Sequence, residues 1–471
     1  MKNFIKSLKF RLSDLFLLIG FLPFAIFLIF GQLFMQFQNP SDVAFPLWAA
    51  ILCFVVMVGS WSAYLYLEVY RSKNKYNLYI ASVFLVLMLL NVITIAVQPK
   101  LVTENVIIRY RGEEEAELIG TVTQAIISIS NVHKFVFIGE IVGTLAFIYI
   151  GLFVFPRRFT SLAFIKYLGY ALFVFLAVLI VYGYIVDFNK YIAFFKYVFN
   201  IDRSFDLYLK GTVVSFIIHR NAYGMCMMLG IIFAFINHSI EKKWYYYLIV
   251  AFFYINMVFS LCKTGLLISA LLIAIYVIYR LIVTLKEHKK RNIIILVCIG
   301  AVALIGVGTV GLAYITKGKV LGSIYEMIKT ITGGGQSLDF RSYIWDNTFQ
   351  LIRDGKWLIG RGFGMINLML QPMNIASHKE KVFPTHSAYL GLLAEGGILF
   401  LLAYIALLGY SVYIAVKCFK KNPGLTITMS LGVIAFVLYS FIETIHYLVY
   451  VFLFPIMVLY YTTREEKIES N

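Results

Sequence analysis

Twelve stretches of this chain are long and apolar enough to cross a lipid bilayer, and that constrains its fold more than any motif does. A span needs about 20 mostly apolar residues, because the hydrocarbon core is about 30 Å thick and a helix rises about 1.5 Å per residue. The stretches run roughly 15–37, 46–69, 78–98, 134–155, 162–186, 220–238, 244–262, 264–284, 292–315, 387–415, 424–441 and 443–461. Inside lipid no water satisfies backbone amides, so each stretch must close its own hydrogen bonds as a helix. The sixth is the least apolar at its start, opening on Arg220 and Asn221, and the last two leave room only for a tight turn near Glu443. Composition agrees: 61% of the 471 residues are hydrophobic and 14% charged, where soluble domains carry about 25% charged residues. The expected fold is an all-α polytopic integral membrane protein of about 12 transmembrane helices, with residues 1–471 forming a single membrane domain.

Basic residues set the orientation. Lys2, Lys6, Lys9 and Arg11, then Arg71, Lys73 and Lys75, then Arg157 and Arg158, then Lys242 and Lys243 fall in alternate loops. The same series continues through Lys286, Lys289, Lys290 and Arg291, then Lys417, Lys420 and Lys421, and ends at Arg464 and Lys467. Short basic loops stay in the cytoplasm, which places both termini there. The intervening loops include three long ones, 99–133, 187–219 and 316–386. The last is the large extracytoplasmic loop between spans 9 and 10, with an amphipathic helix expected over Leu338–Ile352 after Gly333-Gly334-Gly335.

The formal charge of +17 is accounted for by these loops, and no basic domain exists to bind nucleic acid. The five cysteines show no metal-ligand spacing, so neither metal, disulfide nor cofactor is expected. The first apolar run is too long for a signal peptide and has no small-residue cleavage site.

With that orientation, Arg220, Lys263, Arg341, Arg361 and His386 all fall on the outer side, at span ends or in the large loop. Arginine binds phosphate oxygens through a planar fork, and lysine adds a point charge. His386, in Pro384-Thr385-His386-Ser387, opens a span on turn residues, and imidazole accepts protons near neutral pH. Glu395, about two and a half turns farther along, could orient a substrate or pair with a cation. Each residue also has a plainer reading. A lone arginine at a span end more often reaches out to lipid headgroups, and Arg361 fits that description best. Gly360-Arg361-Gly362-Phe363-Gly364 lacks the strand–turn–helix context of a phosphate loop and reads as a membrane-proximal turn.

Four ordered segments together resemble the O-antigen ligase and polymerase superfamily, which includes Wzy-type polysaccharide polymerases. They are His219-Arg220-Asn221-Ala222-Tyr223-Gly224, Ser260-Leu261-Cys262-Lys263-Thr264-Gly265, Arg341-Ser342-Tyr343-Ile344-Trp345 running on to Gly360–Gly364, and Pro384–Leu390 followed by Glu395-Gly396-Gly397. The resemblance covers roughly residues 200–420, with lysine at 263 where the family usually has arginine and Ser387 where it usually has asparagine.

The resemblance implies metal-independent glycosyl transfer at the outer face of a bacterial plasma membrane. Donor and acceptor would be glycans on undecaprenyl pyrophosphate. Arg220, Lys263 and Arg341 would hold the pyrophosphate, and His386 would position or deprotonate the acceptor hydroxyl. Asn221, Arg361, Ser387 and Glu395 would help orient the substrate, membrane lipid would surround the site, and a chain-length regulator and a flippase are the accompanying partners it brings up. Polymerisation of repeat units is preferred over ligation of finished glycan to another acceptor, because the long segments 99–133 and 187–219 could guide a growing chain. A lipid-linked oligosaccharide flippase is the alternative of another class. It would place charge near the bilayer midplane, where these spans carry almost none.

Overall fold

The structure is a computed structural model describing residues 11–36, 45–70, 75–109, 120–158, 162–198, 215, 220–260, 262–286, 336–353, 355–378, 385–441, 443, 450 and 453–462. The expected spans that it describes are helical. The first are α1 (Leu12–Gln36), α2 (Leu47–Leu65), α3 (Lys75–Ala96) and α4 (Asn131–Tyr149). Next come α5 (Leu162–Val186), α6 (Phe188–Val198), α7 (Arg220–Glu241), α8 (Tyr245–Ser260) and α9 (Lys263–Lys286). After them lie α10 (Gln336–Leu351), α11 (Met365–His378), α12 (Ala388–Phe419), α13 (Pro423–Tyr439) and α14 (Leu453–Thr462). Among the described residues eight helices are long and apolar enough to span a membrane. Three shorter apolar helices, α8, α13 and α14, stand at the seventh, eleventh and twelfth expected positions, and 292–315 lies outside the described residues. The chain is a multi-pass helical membrane protein.

The expectation of an all-α chain needs one correction. Leu101–Arg109 (β1) and Gly120–Ser128 (β2) form an antiparallel hairpin whose register runs from Leu101 opposite Ser128 to Arg109 opposite Gly120. Both arms are rich in Val, Ile and Thr, whose branched Cβ suits a pleated strand better than a helix. The hairpin packs against α11, so two segments expected to be separate outer loops meet. Over the segment 338–352, where an amphipathic helix is expected, α10 is helical, with Ile344 and Leu351 buried and Phe349 exposed.

The described residues fall into two compact units, each discontinuous in sequence. The first comprises residues 1–160, 339–417 and 440–471. Its centre is α4, buried over 67% of its span where α1, α2 and α3 are buried over 22–28%. Gly139 and Gly143 let Phe27 and Phe24 of α1 lie directly on the α4 backbone, the close approach that small residues permit between membrane helices. The second unit comprises 161–338 and 418–439, and its centre is α7, buried over 72% of its span and packed on α5, α8, α9 and α13.

Candidate active site

In the first unit the site begins where α12 starts. His386 takes φ +48°, in the left-handed region that costs a non-glycine residue about 1–3 kcal/mol and persists only where surrounding contacts impose it. Those contacts are present. Trp345 Nε1 donates to Thr385 O at 2.9 Å, Thr385 Oγ1 donates to Ser387 O at 2.8 Å, and Ala388 N donates to Ser440 O at 2.8 Å. Ser387 Oγ accepts from Leu390 N at 3.4 Å, so this serine caps α12. His386 Nδ1 lies 3.2 Å from Glu443 Oε2, with 16% of the histidine side chain and 10% of the glutamate side chain exposed. Arg341 stands one helical turn before Trp345, which places it on the α10 face that carries the contact to Thr385. The Arg341 side chain lies outside the described residues.

Farther along, α12 is broken. Gly397 takes φ +72° and ψ −173°, and the carbonyls freed by the break are taken up by the 355–364 turn. Arg361 N donates to Ala394 O and Gly362 N to Glu395 O, both at 2.8 Å, while Ile398 N donates back to Trp357 O at 2.9 Å. Glycine is required on both sides of this seam. A Cβ on Gly360 would stand 2.3 Å from Glu395 O, and one on Gly397 would stand 2.3 Å from Leu358 O. The 355–364 segment is therefore a turn, and its partner is a broken helix.

This seam gives Arg361 and Glu395 interior tasks. Arg361 is 6% exposed and its Nε donates to Leu351 O at 2.7 Å, which corrects the reading that it reaches out to lipid headgroups. Glu395 is buried, and its Oε1 accepts from Gly364 N at 3.3 Å. Glu140 of α4 is 4% exposed and its Oε2 has no hydrogen-bond partner among the described residues. Glu140 of α4 and Glu395 of α12 put carboxyl groups inside two apolar runs of the first unit.

In the second unit the candidate residues open helices. Arg220 is the first residue of α7 and Lys263 the first of α9, both with side chains outside the described residues. Their chain neighbours meet: Tyr439 Oη donates to Asn221 O at 3.3 Å and lies 3.2 Å from Cys262 Sγ. Ser260 Oγ accepts from Cys262 N at 3.3 Å and so shapes the short link between α8 and α9. Two cationic positions thus begin adjacent helices, where backbone N–H groups and the helix dipole favour an anion. The second unit also holds Asp187, whose carboxylate accepts from Ser215 N at 3.0 Å and pairs with Lys190 at 2.7 Å. Burial raises the Tyr191 phenol above the usual tyrosine range.

Sequence reasoning missed Glu443, Glu140 and Asp187. An acid interrupting or ending an apolar run is the signal that could have found all three.

The fold and these residues define a multi-pass membrane protein with cations at helix starts and an imidazole set against a carboxylate. Residues 246–405, about a third of the chain, match the family model described as O-antigen ligase, which supports the resemblance to the O-antigen ligase and polymerase superfamily. The family is one of membrane glycosyltransferase-like enzymes, and the matched segment contains Lys263, Arg341, Arg361, His386, Ser387 and Glu395. Comparison with curated proteins and with solved structures gave no match.

Proposed function

We propose that this chain polymerises oligosaccharide repeat units carried on undecaprenyl pyrophosphate, as a Wzy-type polymerase at the outer face of a bacterial plasma membrane. The observation that carries the reading is the family match over a segment in which His386 is held out of ordinary backbone geometry with its Nδ1 against a carboxylate. In this mechanism His386 takes the proton from the acceptor hydroxyl through Nε2. The acceptor oxygen bonds to the anomeric carbon as the carbon–oxygen bond to the pyrophosphate breaks. The bonding electrons leave with the lipid pyrophosphate, and in-line attack inverts the anomeric centre. Arg341, in the same unit as His386, would meet the charge on the leaving group, a contribution available only where donors stand ready before charge develops. Holding donor and acceptor together supplies the orientation that a bimolecular reaction lacks. An apolar groove of about 300 Å³ in the first unit, lined by Phe84, Leu145, Phe400, Tyr404, Tyr410 and Tyr450, offers surface for a lipid tail.

A second reading, ligation of finished glycan to another acceptor, is favoured by the matched family's own description. Surface-glycan length in a strain lacking the gene separates the two. Single repeat units, with a ladder restored by the wild-type gene, support the polymerase. Full-length glycan trapped on its lipid would make the protein a ligase. Repeat units held on the cytoplasmic side would contradict both and turn attention to Glu140 and Glu395 as transport residues.

A further inference from the structure

The imidazole of His386 has two nitrogens, and only the one carrying a lone pair can accept a proton. In the neutral ring, whichever nitrogen donates a hydrogen bond is unavailable as a base. An ionised carboxylate has no proton to give, so the 3.2 Å contact between Nδ1 and Glu443 Oε2 makes Nδ1 the donor. The backbone keeps the pair together. Ala388 N donates to Ser440 O, and the rings of Tyr389 and Phe441 lie 4.6 Å apart, so the 440–443 segment is tied to the start of α12 at three points. Among the described residues Glu443 is the charged group paired with His386. It lies 38 residues beyond the end of the family match at 405.

We infer that Glu443 is a positioning residue for His386: its carboxylate accepts Nδ1–H, holds the ring in one tautomer and leaves Nε2 as the proton acceptor that faces substrate. Acceptor deprotonation then requires no change of tautomer before reaction, and the imidazolium formed is paired at once with a carboxylate. This inference rests on the glycosyl-transfer reading for its catalytic consequence, but the tautomer it assigns is independent of any activity.

The test is ¹⁵N NMR of the purified full-length protein with labelled histidine, the His386 signals being identified by their loss in His386→Gln. A protonated Nδ1 and a bare Nε2 in the wild type are expected. Glu443→Gln, nearly the same size, should populate the Nε2–H form. It should also lower kcat by roughly tenfold to a hundredfold, part of the 10²–10⁴ that positioned proton transfer supplies, with donor KM unchanged. Glu443→Asp should recover part of the loss. A wild-type ring carrying its proton on Nε2 overturns the inference whether or not any variant folds. Wild-type spectrum and rate in Glu443→Gln would overturn it as well, leaving the glycosyl-transfer reading intact. The expected tautomer in a protein that transfers no glycan would uphold the pairing and sink that reading instead.

Discussion

One helix, α12, carries two polar sites nine residues apart, and they are built in opposite ways. At the break, Glu395 and Arg361 are buried and engaged by backbone: a Gly364 amide on the carboxylate, the Leu351 carbonyl on the guanidinium. At the start, His386 is partly exposed, strained at φ +48°, and engaged through Nδ1. The break spends its polar groups on closing backbone hydrogen bonds that a kinked membrane helix would otherwise leave open. The start spends backbone strain on presenting a ring. Charge on a membrane helix is therefore a poor guide to chemistry until its hydrogen-bond partners are known.

The largest contrast should come from His386→Ala. Product formation should fall by about 10²–10⁴ while yield and melting temperature stay at wild-type values. A matching loss of stability would mean that the start of α12 is as structural as the break. Gly397→Ala should do the reverse. Its Cβ would meet Leu358 O at 2.3 Å on a backbone with φ +72°, so folded protein in the membrane should drop sharply. Glu395 sharpens the comparison further. Glu395→Gln keeps an oxygen for Gly364 N and should retain stability and activity, whereas Glu395→Ala leaves that amide unpaired, at about 1–3 kcal/mol. The smallest effect is expected at Ser387. Removing the cap in Ser387→Ala should cost about 1 kcal/mol, and Ser387→Asn should restore it without changing turnover.

Apolar runs were legible in the sequence because lipid leaves the backbone only one way to close its hydrogen bonds. His386 was legible from the turn residues around it. The hairpin was not, because Val106-Ile107-Ile108 and Ala125-Ile126-Ile127 sit beside Glu113-Glu114-Glu115 in what reads as a charged loop, and pairing is a property of both arms together. Arg361 read as a surface residue because glycines flank it, yet Gly360 is what lets the turn enter the break in α12. Glu443 sits 57 residues from His386, at the seam between two apolar runs, and only the return of the chain after α13 brings it to the ring. Glu140 was hidden by its apolar neighbours, since one acid barely lowers the hydropathy of a span.

The most direct measurement follows the leaving group. Purified protein in lipid nanodiscs would be given undecaprenyl-pyrophosphate-linked repeat units, and free undecaprenyl pyrophosphate and lengthened lipid-linked glycan would be followed together. The account predicts one undecaprenyl pyrophosphate released for each glycosidic bond formed, with the wild type and with Glu395→Gln alike, and both products reduced about 10²–10⁴-fold with His386→Ala. Equal rates for His386→Ala and wild type, or no bond formation by the wild type on any lipid-linked glycan, would contradict it.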